Sequence, residues 1–99
     1  MNHEISKLNK VFESRIRLGI MSILVVNDHV EFSYLKEILN QTDGNLASHI
    51  NALEKQHYVE VTKQFIGKKP NTTYRITENG RLAFNHHLDA LEQIIKISK

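Results

Sequence analysis

Residues Thr42-Asp43-Gly44-Asn45-Leu46-Ala47-Ser48-His49-Ile50-Asn51-Ala52-Leu53-Glu54 decide how the rest of the chain is read. Leu46, Ile50 and Leu53 recur at i, i+4 and i+7, which sets them in one apolar stripe of an amphipathic helix ending near Gln56. The far side carries Asn45, Ser48, Asn51 and Lys55, with His49 at its margin. An ordinary solvated helix would carry Glu and Lys there. This face is short, hydrogen-bonding and nearly uncharged, as a helix needs to be if it is to reach base edges in a DNA major groove. Taken alone, it also fits a weakly polar surface helix. Gly44 is poor in mid-helix but cheap in a first turn. There it lets a backbone N–H and the helix N-terminus approach a phosphate, with the Thr42 hydroxyl beside it.

The flanks extend the pattern. Upstream, Ser33 caps a helix through about Asn40 with Leu35, Ile38 and Leu39 inward, and Gln41-Thr42 makes the turn. Downstream, Tyr58 to Phe65 alternates with period two, with Val59, Val61, Lys63 and Phe65 on one side. Ile66 to Asn71 reads as a tight loop holding Gly67 and Pro70, and Thr72 to Thr77 as the return strand. Lys63, Lys68, Lys69 and Arg75 fall in this hairpin, and no acid lies between Lys63 and Arg75. Lys68 and Lys69 at the tip can reach phosphates or the adjacent minor groove. A solvated tip would also carry lysines. The polar helix and the basic tip together are more specific than either.

Further out lie two long apolar helices. Ile5 to about Val26 reads as helix, with Leu8, Val11, Phe12 and Ile16 in a stripe continued by Ile20, Ile23 and Leu24. Ser14 can cap a second segment, so a break near Glu13-Ser14 is open. Asn27-Asp28-His29 is a turn, and Val30 to Phe32 a short strand. A last helix starts at Thr77-Glu78 and runs to about Ile97, with Phe84, Leu88, Leu91 and Ile95 spaced by four, three and four. The order helix, strand, helix, helix, strand, strand, helix is a helix-turn-helix followed by a hairpin. The fold class is therefore mainly α with a small β-hairpin (α+β), a winged helix-turn-helix with a three-helix core plus wing.

A chain of 99 residues reads as one domain and cannot easily cover both terminal stripes alone. A homodimer is expected, joined through Leu8, Val11, Phe12, Phe84, Leu88, Leu91 and Ile95. The alternative is that one terminal helix closes the monomer's own core. Two-fold symmetry would set two reading helices roughly 34–36 Å apart, one turn of DNA.

Composition narrows the function classes. Apolar residues make up 40% and charged residues 24%, which is globular. There is no cysteine, which excludes disulfides, thiolate metal sites and cysteine nucleophiles. No signal-like segment opens the chain, and the apolar run Gly19 to Val26 is interrupted by Ser22 and too short to span a bilayer. A cytoplasmic protein with no membrane partner is expected. Of the six histidines (His3, His29, His49, His57, His86, His87), adjacent His86 and His87 point about 100° apart and cannot share one metal from one helical face. The four glycines are scattered, no serine sits in a nucleophile elbow, and nothing pairs a nucleophile with a base. No catalytic residue, no metal and no cofactor are expected, and the sequence names no small-molecule effector.

Three stretches carry a family likeness: Leu46-Ala47-Ser48-His49-Ile50-Asn51-Ala52-Leu53-Glu54, Tyr58-Val59-Glu60-Val61, and Phe65-Ile66-Gly67-Lys68-Lys69-Pro70 through Thr77-Glu78-Asn79-Gly80-Arg81. They resemble the small winged-helix transcriptional regulators related to the MarR and ArsR groups, in a minimal form without an effector domain. Arg15-Ile16-Arg17-Leu18-Gly19-Ile20-Met21 resembles their first core helix. The resemblance implies a prokaryotic homodimeric regulator of double-stranded DNA, expected to be a repressor. Its DNA-contacting helix maps onto Asn45, Ser48 and His49, and its wing contacts onto Lys68 and Lys69. Thr42, Gly44, Asn51, Lys55 and Arg75 complete the expected DNA-binding set. Relatives often place Arg where Ser48 stands, so a bidentate guanine contact is lost here. The metal motifs of the ArsR sensors are absent. Two rival readings remain, a winged-helix protein-interaction module that never touches DNA, and a ligand or metal sensor with a site at the dimer interface. Tyr34, Phe12, Phe84 and Tyr74 would line such a site, or serve as core.

Overall fold

A computed structural model describes residues 4–98. His3 lies outside the described residues. Two single 3-10 turns, Glu4–Lys7 and Lys10–Glu13, lead into α1 (Arg15–Leu24), β1 (Val30–Glu31), α2 (Phe32–Leu39), α3 (Asp43–Lys55), β2 (Val59–Ile66), β3 (Lys69–Ile76) and α4 (Glu78–Ile97).

The expected first helix is broken, at the place its serine marked. Ser14 is extended (φ −83°, ψ 127°) and its hydroxyl accepts from the Arg17 N–H at 3.3 Å, so α1 starts at Arg15 rather than continuing from Ile5. Upstream, Asn9 diverts the chain. Its side chain accepts from the Val11 N–H (2.9 Å) and donates to the Tyr58 hydroxyl (3.0 Å), while its backbone N–H donates to His87 Nδ1 (2.9 Å). These bonds lay the N-terminal turns along α4.

Hydroxyl caps also open α3 and α4. Thr42 accepts from the Asn45 N–H at 3.2 Å and Thr77 from the Gly80 N–H at 2.8 Å. Residues in left-handed conformation close α2 and α3. Asn40 (φ 52°) follows α2, and His57 (φ 62°) follows α3. Tyr58 N–H bonds to Leu53 carbonyl at 3.0 Å and His57 N–H to Glu54 carbonyl at 2.9 Å, the paired bonds of a Schellman ending. At α2 the expected Ser33 cap is not used. Phe32 belongs to the helix rather than the strand, and Glu31 holds the capping position without a side-chain bond. Leu35 is buried, but Ile38, expected inward, is 55% exposed.

The sheet is antiparallel in the order β1-β3-β2. Val30 pairs with Tyr74, and β2 runs against β3 from Val59↔Ile76 to Ile66↔Lys69. The expected six-residue loop is thus a two-residue turn, Gly67-Lys68, with Gly67 at φ +65°, the conformation a type II′ turn asks of its first residue. Pro70 lies inside β3, beyond the reach of β1, so its missing N–H breaks no ladder.

The core joins Ile20, Met21 and Leu24 of α1, Leu35 of α2, and Leu46, Ile50 and Leu53 of α3 to Val30, Val59, Tyr74, Ile76, Phe12 and Phe84. Phe12 meets Phe84 edge-on at 5.7 Å and lies 5.5 Å from Tyr58. The Cα radius of gyration is 15.2 Å, against about 13 Å for a compact chain of this length. Two elements reach past the core, the distal half of the β2–β3 hairpin and the C-terminal half of α4.

Candidate nucleic-acid interface

α3 presents the two faces its sequence implies. Leu46, Ile50 and Leu53 are at most 1% exposed, while Gly44, Asn45, Ser48, Asn51 and Lys55 are open to solvent and His49 is half-buried at the edge. Thr42 caps the helix, so its hydroxyl is already engaged by the Asn45 N–H. Asn45 Nδ2 donates to Gln41 Oε1, and Gln41 Nε2 to the Leu39 carbonyl at 2.9 Å, which braces the Asn45 side chain against the preceding turn. Lys36 of α2 meets Asp43 in the first turn of α3 at 2.8 Å. Both side chains are exposed, so this pair contributes at most about 1 kcal/mol. Its use is positional, since it joins the two helices of the helix-turn-helix.

One contact at this face was not read from the sequence. Arg17 Nε donates to His49 Nδ1 at 3.1 Å, joining α1 to the margin of α3. Burial, and secondly the Arg17 guanidinium, hold His49 below the ordinary imidazole pKa. Neutral His49 keeps Nδ1 free to accept, and a guanidinium is fixed beside the polar face of α3. The only hint is the pair Arg15 and Arg17 astride Ile16 at a helix start, and nothing local shows that Arg17 faces α3.

The wing lysines stand apart from α3. Lys68 is in the turn and Lys69 opens β3, both exposed, at the far end of an eight-pair ribbon about 24 Å long. Arg75 lies near the base of the ribbon instead. It faces Glu60 across the strands, Nε to Oε2 at 3.4 Å. The acid-free run counted along the sequence therefore does not leave Arg75 without a carboxylate.

Of the residues expected between protomers, Phe12 and Phe84 are 2% and 3% exposed and lie in the monomer's own core. Leu8 and Val11 are half-buried. Leu88, Leu91 and Ile95 stay open on α4, at 43%, 45% and 56%. His87 turns inward, accepting from Asn9 and set edge-on to Phe12 at 5.3 Å, and burial lowers its pKa. His86 faces solvent. Among the described residues no group of three His, Asp or Glu side chains is placed to hold a metal ion, and no helix is long and apolar enough to cross a membrane.

A family model for the winged helix DNA-binding domain matches residues 16–95. The chain belongs to this family. It is 40% identical over 87 residues to an uncharacterised protein of Methanocaldococcus jannaschii, covering 88% of this chain and 95% of that one. A transcriptional regulator homologue from Pyrococcus horikoshii OT3 superposes with a TM-score of 0.79 at 32% identity, each chain covered to 96%. A protein described as a MarR-family transcriptional regulator, from Porphyromonas gingivalis W83, shares the fold. Its TM-score is 0.66 at 18% identity, over 90% of this chain and 82% of that one. Four helices and a three-stranded antiparallel sheet are thus the winged-helix fold of transcriptional regulators, with α2 and α3 as the helix-turn-helix and β2–β3 as the wing.

Proposed function

We propose that this winged-helix chain is a homodimeric transcriptional repressor that acts by occupying promoter DNA. The observation that carries the proposal is the outer face of α3, where Asn45, Ser48 and Asn51 stand exposed and short on a helix anchored by three fully buried side chains. Such a helix enters the major groove, and Asn pairs with adenine edges through two hydrogen bonds. Gly44 and the N-terminus of α3 approach the backbone. Arg17, held by His49, adds a cation at the groove's edge. Lys68 and Lys69 neutralise flanking phosphates. Leu88, Leu91 and Ile95 of α4 meet their counterparts in a second copy, and the two-fold axis sets the spacing of the half-sites. The whole chain works as one unit in the cytoplasm.

The test is binding to the DNA upstream of its own gene across a salt series. Lys68→Gln with Lys69→Gln should weaken binding to every duplex and lower the slope of log K against log salt by about two units, one per lost phosphate contact. An unchanged slope removes the wing from the interface. Asn45→Ala should instead relax sequence preference. A uniform loss across sites would contradict its role in base reading.

A further inference from the structure

The wing tip carries two features that phosphate binding does not require. Phe65 is 72% exposed and Ile66 61% exposed, the two residues before the Gly67-Lys68 turn. Neither serves the monomer's core. Side chains alternate along the ribbon, so Phe65 shares a face with Val59 and Val61 and stands opposite Pro70, while Ile66 stands opposite Lys69 on the other face. The tip is therefore apolar on both faces, and Lys63, Lys68 and Lys69 flank it, with Glu31 of β1 across the groove that Ile66, Lys69 and Pro70 also line. An apolar tip with three cations to one carboxylate around it complements a polyanion that has an apolar interior. Duplex DNA is such a polymer: phosphates line the groove, and stacked bases lie beneath.

We propose that Phe65 is a wedge, entering a base step from the minor groove while Ile66 packs on the deoxyribose of the groove wall. The inference rests on the DNA-binding reading above and goes beyond phosphate contact. The flat, exposed ring of Phe65 provides a stacking surface, and the lysines on either side bring it to the groove. Gly67 has open space around it and adds no bulk at the turn. Partial unstacking at one step kinks the duplex, and steps that unstack cheaply, pyrimidine–purine steps above all, are then preferred at a position where no hydrogen bond reads the base. The wing would thus add sequence preference at the flank of the site.

The test uses the full chain and duplexes enriched from a random pool by the wild-type protein. 2-Aminopurine is placed at successive steps across the flank. The expected result is a rise in its fluorescence at one step on binding wild type. Phe65→Ala should abolish that rise and weaken binding at least about fivefold, as loss of base–aromatic stacking does. Its salt slope should match wild type, because no phosphate contact is lost. Lys68→Gln with Lys69→Gln should lower the slope yet keep the fluorescence rise at saturation. An unchanged melting temperature for Phe65→Ala shows that the fold is intact. If wild type binds DNA with no fluorescence change at any step, and Phe65→Ala binds equally well, the wedge is refuted while the DNA reading stands. If wild type binds no duplex even at low salt, both fail. Co-sedimentation with vesicles of anionic phospholipid that depends on Phe65 would then assign the tip to a lipid surface.

Discussion

Gly80 and Gly44 offer a direct check, because the same substitution should act with opposite sign at the two positions. Both glycines lie in the first turn of a helix. A Cβ on Gly80 would fall 2.1 Å from the Tyr58 carbonyl oxygen, about 1.3 Å short of ordinary contact, and 2.8 Å from its carbon. Both partners are backbone, so no rotamer change relieves the clash. α4 must back away from the start of β2. That movement strains the bond from the Thr77 N–H to the same carbonyl (3.0 Å) and the Thr77 bonds to Gly80 N–H and His57 carbonyl (2.8 and 2.6 Å). Losing one backbone bond costs about 1 kcal/mol and a helix cap about 1 kcal/mol. Loosened packing around Phe84 adds about 1–2 kcal/mol. In a first turn alanine returns less than the mid-helix propensity gain, about 0.5 kcal/mol. Gly80→Ala should therefore destabilise by about 3 kcal/mol, lowering the melting temperature by roughly 10–20 °C. A Cβ on Gly44 meets nothing within 4 Å, so Gly44→Ala should stabilise by about 0.5 kcal/mol. Thermal and urea unfolding at one fixed protein concentration reads both, since a dimer's stability depends on concentration. A Gly80→Ala protein as stable as wild type would refute the account of how α4 docks on the wing base.

Stability should also fall with acid below about pH 6.5. Burial holds His87 and His49 below the unfolded imidazole pKa, so the unfolded chain binds protons first, and the loss grows from about pH 6.5 down to the folded pKa. His87→Gln should flatten that slope in urea titrations between pH 7.5 and 5.5; an equal slope would remove His87 as a source. His57→Gly should raise stability by up to about 1 kcal/mol by relieving a left-handed backbone, and a lower urea midpoint would contradict the reading of that helix end. Leu88→Glu with Leu91→Glu should give a folded monomer in sedimentation, with DNA affinity reduced at least tenfold; an intact dimer would place the interface elsewhere.

Most of the fold was legible because the starts of α1, α3 and α4 and the α3 stripe rest on local chemistry, whereas α2 starts at Phe32 without the expected Ser33 cap. Ser14, Thr42 and Thr77 all cap as their positions imply, and Leu46, Ile50 and Leu53 are buried as their spacing implies. What the sequence hid was long-range. Asn9 leaves a helical path because His87 and Tyr58, 78 and 49 residues away, take its hydrogen bonds. Pro70 and Asn71 read as loop because proline rarely sits in strands, yet the two-residue turn lets the ladder continue past them. The Phe84, Leu88, Leu91, Ile95 spacing looked like one seam, but Phe84 serves the core with His87 and Ala90 and leaves the other three open. At the candidate interface, the exposed polar face of α3 was visible in its residue types. The Arg17–His49 contact and the Arg75–Glu60 pair were not, because tertiary packing and strand register alone create them.

The most direct measurement of the central claim is selection of duplexes from a random pool by the purified protein, with the enriched sequences read out. A dimer that reads DNA through α3 should enrich an inverted repeat whose half-sites lie about 10–10.5 base pairs apart, one turn of DNA. A pool that stays random after repeated rounds at low salt would contradict it.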